Sequence, residues 1–131
     1  DAAELDDIRL GWRAAKAVSG FDIGQTVVVR EGAVIAVEAM EGTDSAVMRA
    51  SSLARSFGKD PFLVVVKVAK PNQDLRFDIP VLGMDSLKVF AETKVSALAL
   101  EAGKTMIFNK DEFLRQADAQ GMAIIGLKDL P

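Results

Sequence analysis

From Phe62 to Val66 the chain carries no polar side chain, the pattern of a strand covered on both faces, and Pro61 and Pro71 mark its limits. Lys67 ends this run, and the pattern then changes. Leu75, Phe77 and Ile79 alternate with Asp74, Arg76 and Asp78, and Pro80 biases Ile79 towards extended backbone, which predicts an edge-like strand with one apolar face and an acid, base, acid face. Upstream, Leu5, Ile8, Trp12 and Ala15 fall at helical spacing and predict a helix over about residues 4 to 18, with Gly20 as its C-cap. TVVVR and AVIAVEAM are β-branched runs joined by Glu31-Gly32 and predict a hairpin. Gly42-Thr43-Asp44 opens a helix with Thr43 as N-cap and Ala46, Val47, Ala50, Leu53, Ala54 and Phe57 on one face. Downstream, SLKVFAETK predicts a short helix, SALALEAG a strand with Glu101 at its carboxyl end, and TMIF a short strand. A helix over about 110 to 119 follows, with an Asn109/Glu112 capping box and Gly121 at its end, then MAIIGL as a last strand. The sum is one α/β domain over residues 1–131, a mixed sheet of about six strands flanked by about four helices.

Composition narrows the chemistry more than the fold. The chain has 131 residues, no cysteine and no histidine, which removes thiolate metal sites, cysteine nucleophiles and the Ser-His pair. Carboxylates, lysines or metal-bound water are left for acid-base work. The net charge of −3 is wrong for generic nucleic-acid binding, so no nucleic-acid partner is expected. Asp1 and the opening DAAELDDIRLGW read as the middle of a longer protein. Half of the residues are hydrophobic, as in a domain that turns a surface to another domain, a second subunit or a lipid.

Charged groups gather where strands end. Lys67, Lys70, Gln73, Asp74, Arg76 and Asp78 follow the apolar strand, Glu41 precedes the Thr43 helix start, and Glu101 ends another strand, positions where ligands bind in open α/β sheets. A lysine closing an apolar strand needs an anionic partner, either a protein carboxylate or a ligand phosphate. On one reading Asp74 and Asp78 neutralise Lys67, Lys70 and Arg76 in a solvated turn. On the other, the three cations hold phosphate oxygens, Asp74 and Glu41 bind Mg²⁺ or orient a water, and Gln73 hydrogen-bonds the ligand. In an extended segment the Cα atoms of Asp74 and Asp78 lie roughly 13 Å apart, too far to ligate one ion together. Neither GxxxxGK nor GxGxxG occurs, so a nucleotide would be held without a glycine-rich loop.

The run VKVAKPNQDLRFDIPVLG, preceded by VEAMEGTDSAVMRA and followed by ALEAGKT and the terminal strand ending in Gly126, resembles the C-terminal domain of the UDP-2,3-diacylglucosamine pyrophosphatase family called LpxI. The likeness covers about residues 10 to 127. It implies a cytoplasmic enzyme of lipid A biosynthesis in Gram-negative bacteria, peripheral at the inner membrane, that hydrolyses UDP-2,3-diacylglucosamine to lipid X and UMP with Mg²⁺. It also implies an N-terminal domain not included in this chain, with the lipid-linked UDP-sugar bound between the two, and a homo-oligomer. Carried over residue by residue, the catalytic group is Asp74, with Lys67 and Arg76. Lys70, Gln73, Thr43 and Asp78 bind substrate, and Asp74, Glu41 and Glu101 are the metal ligands. Ser86 stands where the family pattern has threonine, keeping the hydroxyl. A rival from another class is a non-catalytic module that binds a phosphorylated ligand or lipid and supplies a dimer surface, using the same cations and asking nothing of Asp74. A third is a purely structural assembly domain.

Overall fold

The computed structural model describes residues 2–58, 62–70 and 81–129. Helix α1 (Ala2–Gly20) leads into an antiparallel hairpin of β1 (Thr26–Arg30) and β2 (Ala33–Val37). Then come α2 (Thr43–Ser56), β3 (Leu63–Lys67), β4 (Val81–Leu82), α3 (Met84–Glu92), β5 (Val95–Glu101), β6 (Met106–Ile107), α4 (Lys110–Ala119) and β7 (Ala123–Leu127). The main sheet has the order β2-β1-β3-β5-β7. β1 runs antiparallel to both β2 and β3, while β3, β5 and β7 are mutually parallel. β4 and β6 form a separate two-stranded parallel ribbon. The hairpin turn has positive φ at both Glu31 and Gly32, the handedness that matches strand twist.

Both faces of the sheet are covered, which explains the unbroken apolar strands. Val27, Val29, Val64, Val66, Ala97 and Ala99 pack against Ile8, Trp12 and Ala15 of α1. Val28, Leu63, Val65, Leu98 and Leu100 pack against Val47 and Ala50 of α2, Leu87 and Phe90 of α3, and Phe113 of α4. α1 lies close: a Cβ on Gly11 would come within 2.6 Å of Val66 Cγ2.

Three helix ends differ from expectation. α1 continues through Gly20, and Asp22 takes the left-handed conformation instead. Thr43 is the first residue of α2 rather than its cap. Gly42 holds the cap position with positive φ and no side-chain cap bond forms, because the Thr43 hydroxyl is engaged elsewhere. Asn109 is left-handed at the start of α4, also without a side-chain cap bond, so the expected capping box does not form. The α4 stop does follow the sequence: Gly121 has positive φ, its N–H bonds the Asp118 carbonyl at 3.0 Å, and Met122 N–H bonds the Ala117 carbonyl at 2.9 Å, a Schellman motif. The expected edge strand over 74–79 lies outside the described residues.

Candidate active site

The antiparallel pairing of β1 with β3 brings the start of one strand beside the end of the other, with Thr26 opposite Lys67. Side chains alternate across a strand. Lys67 therefore shares the face of Leu63 and Val65, towards α2, and so does Thr26, two positions before Val28. Glu38, two positions beyond the buried Ala36, joins them from the end of β2; its N–H donates to the Thr26 carbonyl at 2.9 Å. Thr43, opening α2, closes the group from above.

These four side chains form one network, with Thr26, Glu38 and Lys67 buried and Thr43 half-buried. Lys67 is 8% exposed and Glu38 is 9% exposed. Lys67 Nζ donates to Thr43 Oγ1 at 2.5 Å, Thr43 Oγ1 donates to Glu38 Oε2 at 3.3 Å, and the Thr26 and Thr43 hydroxyls meet at 3.1 Å. Glu38 Oε1 accepts the Gln25 backbone N–H at 3.0 Å. Burial pulls the Lys67 ammonium below its ordinary value, and the nearby charges of Glu38 and Asp44 oppose that pull. Among the described residues, no carboxylate pairs directly with Lys67.

An open cleft of about 320 Å³ lies over this network, lined by Glu41, Thr43, Asp44, Ser45, Lys67 and Ser86, with Val81 and Leu82 at its side. It sits at the N-termini of both α2 and α3, whose unpaired N–H groups and dipoles favour anions. Asp44 Oδ1 is buried there without a hydrogen-bond partner. Glu41 is tied back at the rim: its Oε1 accepts Ala39 N–H at 2.7 Å and its Oε2 accepts Arg49 Nη2 at 2.8 Å. The Ala39 N–H and then Glu41's own backbone N–H, with the Arg49 charge behind them, hold the Glu41 carboxyl below its usual range.

Glu101 and Lys70 are not brought to this cleft. Lys67 pairs with Leu100 in register, so Glu101, one residue on, points to the opposite face. It is 4% exposed. There it accepts Lys16 Nζ at 2.5 Å and the Ala69 backbone N–H at 3.0 Å, with Lys104 Nζ at 3.6 Å. Burial alone would raise the Glu101 carboxyl, but the Lys16 and Ala69 bonds and the two lysine charges hold it below its ordinary value. Lys70 pairs with Asp22 at 2.8 Å. Gln73, Asp74, Arg76 and Asp78 lie outside the described residues. Glu38 and Thr26 were not singled out by the sequence, whereas Asp44 reads as the acid in the first turn of its helix; only the parity of Glu38 with the apolar Ala36 hinted at its inward direction.

The profile of the LpxI C-terminal domain matches residues 1–125. The chain belongs to the LpxI family. A relative from Caulobacter vibrioides, the UDP-2,3-diacylglucosamine pyrophosphatase LpxI, is 32% identical over 126 residues, covering 94% of this chain and 45% of the relative. This LpxI domain thus spans about half the length of the curated relative it matches. Two solved structures share its fold. A diaminohydroxyphosphoribosylaminopyrimidine deaminase/5-amino-6-(5-phosphoribosylamino)uracil reductase from Thermotoga maritima gives a TM-score of 0.54 at 14% identity, over 96% of this chain and 37% of that one. The dCMP deaminase of cyanophage S-TIM5 gives 0.50 at 11% identity, over 90% and 94%. At such identities the likeness concerns the fold alone.

Proposed function

We propose that this chain is the C-terminal, phosphate-holding half of a UDP-2,3-diacylglucosamine pyrophosphatase that cleaves its substrate to lipid X and UMP by attack of water on a substrate phosphorus. The observation that carries this reading is Lys67: a buried ammonium without a paired carboxylate among the described residues, at the end of β3 beneath a cleft between two helix N-termini. In a family with a pyrophosphatase member, a diphosphate is the ligand that suits that cation and those N–H groups. Lys67 and the N–H groups of Thr43 to Ser45 would hold the non-bridging oxygens, and the Ser86 hydroxyl would fix the ligand's orientation. Asp74 would orient the attacking water, with Arg76, Lys70, Gln73 and Asp78 completing the substrate contacts.

Mg²⁺ fits the donors present. Asp44 Oδ1 is unpartnered at the cleft and Glu41 lines it, and Mg²⁺ needs only one or two carboxylates beside water and phosphate oxygens. Among the described residues no group of three or more such acids is gathered, so Asp74 would complete the set. When bound, the ion supplies charge neutralisation to the diphosphate.

A second domain would close over the cleft and seat the acyl chains, and the acylated substrate would place the protein peripherally at the cytoplasmic face of the inner membrane, as a homo-oligomer. Met40, beside Glu41 in the chain, is exposed, surface of the kind an acyl chain or a second domain would cover. No helix among the described residues is long and apolar enough to cross a membrane.

The test is hydrolysis of UDP-2,3-diacylglucosamine by the full-length protein with Mg²⁺. Asp74→Ala is expected to lower kcat by about 10²-fold or more while lipid X still binds. Unchanged kcat would remove Asp74 from the chemistry, and an unchanged substrate affinity without any hydrolysis by the wild type would leave a binding module.

A further inference from the structure

We propose that Glu38 is a positioning residue that keeps Lys67 protonated and aimed at the cleft, acting through Thr43. The inference rests on the pyrophosphatase reading for its kinetic consequence and on the hydrogen-bond geometry for everything else. A hydroxyl has one proton to give and two lone pairs. Lys67 can only donate, so one lone pair of Thr43 Oγ1 is taken at 2.5 Å. Glu38 as a carboxylate can only accept, so the Thr43 proton goes to Oε2 at 3.3 Å. The contact between the hydroxyls at 3.1 Å must then run from Thr26 to the second lone pair of Thr43. The proton and both lone pairs of the Thr43 hydroxyl are thus used, and the direction of the chain is set by the carboxylate at one end and the ammonium at the other.

Glu38 is itself held rigidly. Gln25 N–H caps its other oxygen at 3.0 Å. At Gly24 a Cβ would stand 1.9 Å from the Glu38 carbonyl oxygen, so only glycine lets the chain pass this close. The charged groups facing Lys67 among the described residues are Glu38 from the end of β2 and Asp44 from α2, with Glu41 across the cleft tied to Arg49; β1, β5 and α3 offer Thr26, Leu100 and Ser86. Asp44 and Glu41 line the cleft whereas Glu38 lies beneath it, which leaves Glu38 as the carboxylate kept for the lysine.

Glu38→Gln tests this while leaving every hydrogen-bond partner in place. The amide oxygen can still accept Gln25 N–H, and its NH₂ can donate to Thr43, which then turns its proton to Thr26; all partners remain, but the charge is gone and the chain of donors reverses. In the full-length protein, the Lys67 side chain, labelled with ¹³C and assigned through Lys67→Arg, is expected to titrate at lower pH in Glu38→Gln than in wild type. The alkaline limb of kcat should move the same way, with a loss of about tenfold near pH 9 and a smaller one near pH 6. Thr43→Val, which removes the hydroxyl that Lys67 donates to, is expected to lower the Lys67 titration as well and serves if Glu38→Gln does not fold. A Lys67 titration unmoved in both variants overturns the inference. A shifted titration in a protein whose wild type hydrolyses no substrate leaves the coupling standing and removes the pyrophosphatase reading instead.

Discussion

β3 and β5 lie side by side and parallel, and each ends in a buried charge: Lys67 towards α2 and Glu101 towards α1. The environments are opposite in kind. Glu101 has two lysines and a backbone N–H around it, a complete set of partners for a carboxylate. Lys67 has one neutral hydroxyl, with its nearest carboxylate a further bond away. A buried charge with full pairing holds structure together; one left short of a counter-charge is held in readiness for a ligand. On the proposed reading the two sides of the sheet divide between scaffold and site, although their residues look alike in the sequence.

The largest effect should come from Lys67→Met. Removing the ammonium takes away the charge that would meet the diphosphate, and kcat is expected to fall about 10²- to 10³-fold. Stability should not fall, because burial already opposes the charged form and Thr43 keeps Thr26 and Glu38 as partners. The pH dependence has a definite sign. A lysine whose folded pKa lies below its unfolded value binds fewer protons in the folded state, so wild-type stability rises relative to Lys67→Met as pH climbs through the folded pKa towards about 10.5. Denaturant titrations of both proteins between neutral and alkaline pH measure this, and a wild type that loses stability relative to the variant over that range would reverse the assignment of Lys67.

Glu101→Ala should do the opposite, harming stability more than chemistry. It strands the Ala69 N–H, and a loss of about 1–3 kcal/mol is expected; Lys16, a third exposed on its side chain, can rehydrate. Because the Glu101 carboxyl is held below its ordinary value near 4.5, its contribution is present above that pH and is lost as pH falls through the folded pKa. Glu101→Gln should therefore flatten the acid limb of the stability curve. If instead it raised the Mg²⁺ requirement and left the acid limb unchanged, Glu101 would be a metal ligand after all and the division between the faces would fail.

That division was half legible in the chain. FLVVV read as a strand covered on both faces and TVVVR as a strand of a hairpin, and the valines of both are buried. Glu31-Gly32 read as a hairpin and is one. What the pattern does not carry is register. Lys67 and Glu101 both sit at carboxyl ends, but whether they share a face depends on Lys67 pairing with Leu100 rather than Glu101, a shift of one residue that inverts the outcome. Thr43 reads as an N-cap by local rules, yet a lysine 24 positions away claims its hydroxyl, and tertiary contact outweighs the cap. Glu38 has the parity of the buried Ala36, but nothing local in VEAM names its partners, which are Gln25 and Thr43.

The smallest effects separate the two acids that open α2. Glu41 is exposed and already bonded to Ala39 N–H and Arg49, so Glu41→Gln should leave the melting temperature where it is. To hold a cation it would have to release Arg49, whereas Asp44 Oδ1 has nothing to release. The Mg²⁺ concentration for half-maximal hydrolysis should therefore rise more in Asp44→Asn than in Glu41→Gln. Equal increases would mean that the Glu41–Arg49 pair opens when the diphosphate arrives, and a double substitution with Arg49→Met would then restore part of the Mg²⁺ affinity only if Glu41 itself is retained, since freeing that carboxylate is the whole of the gain.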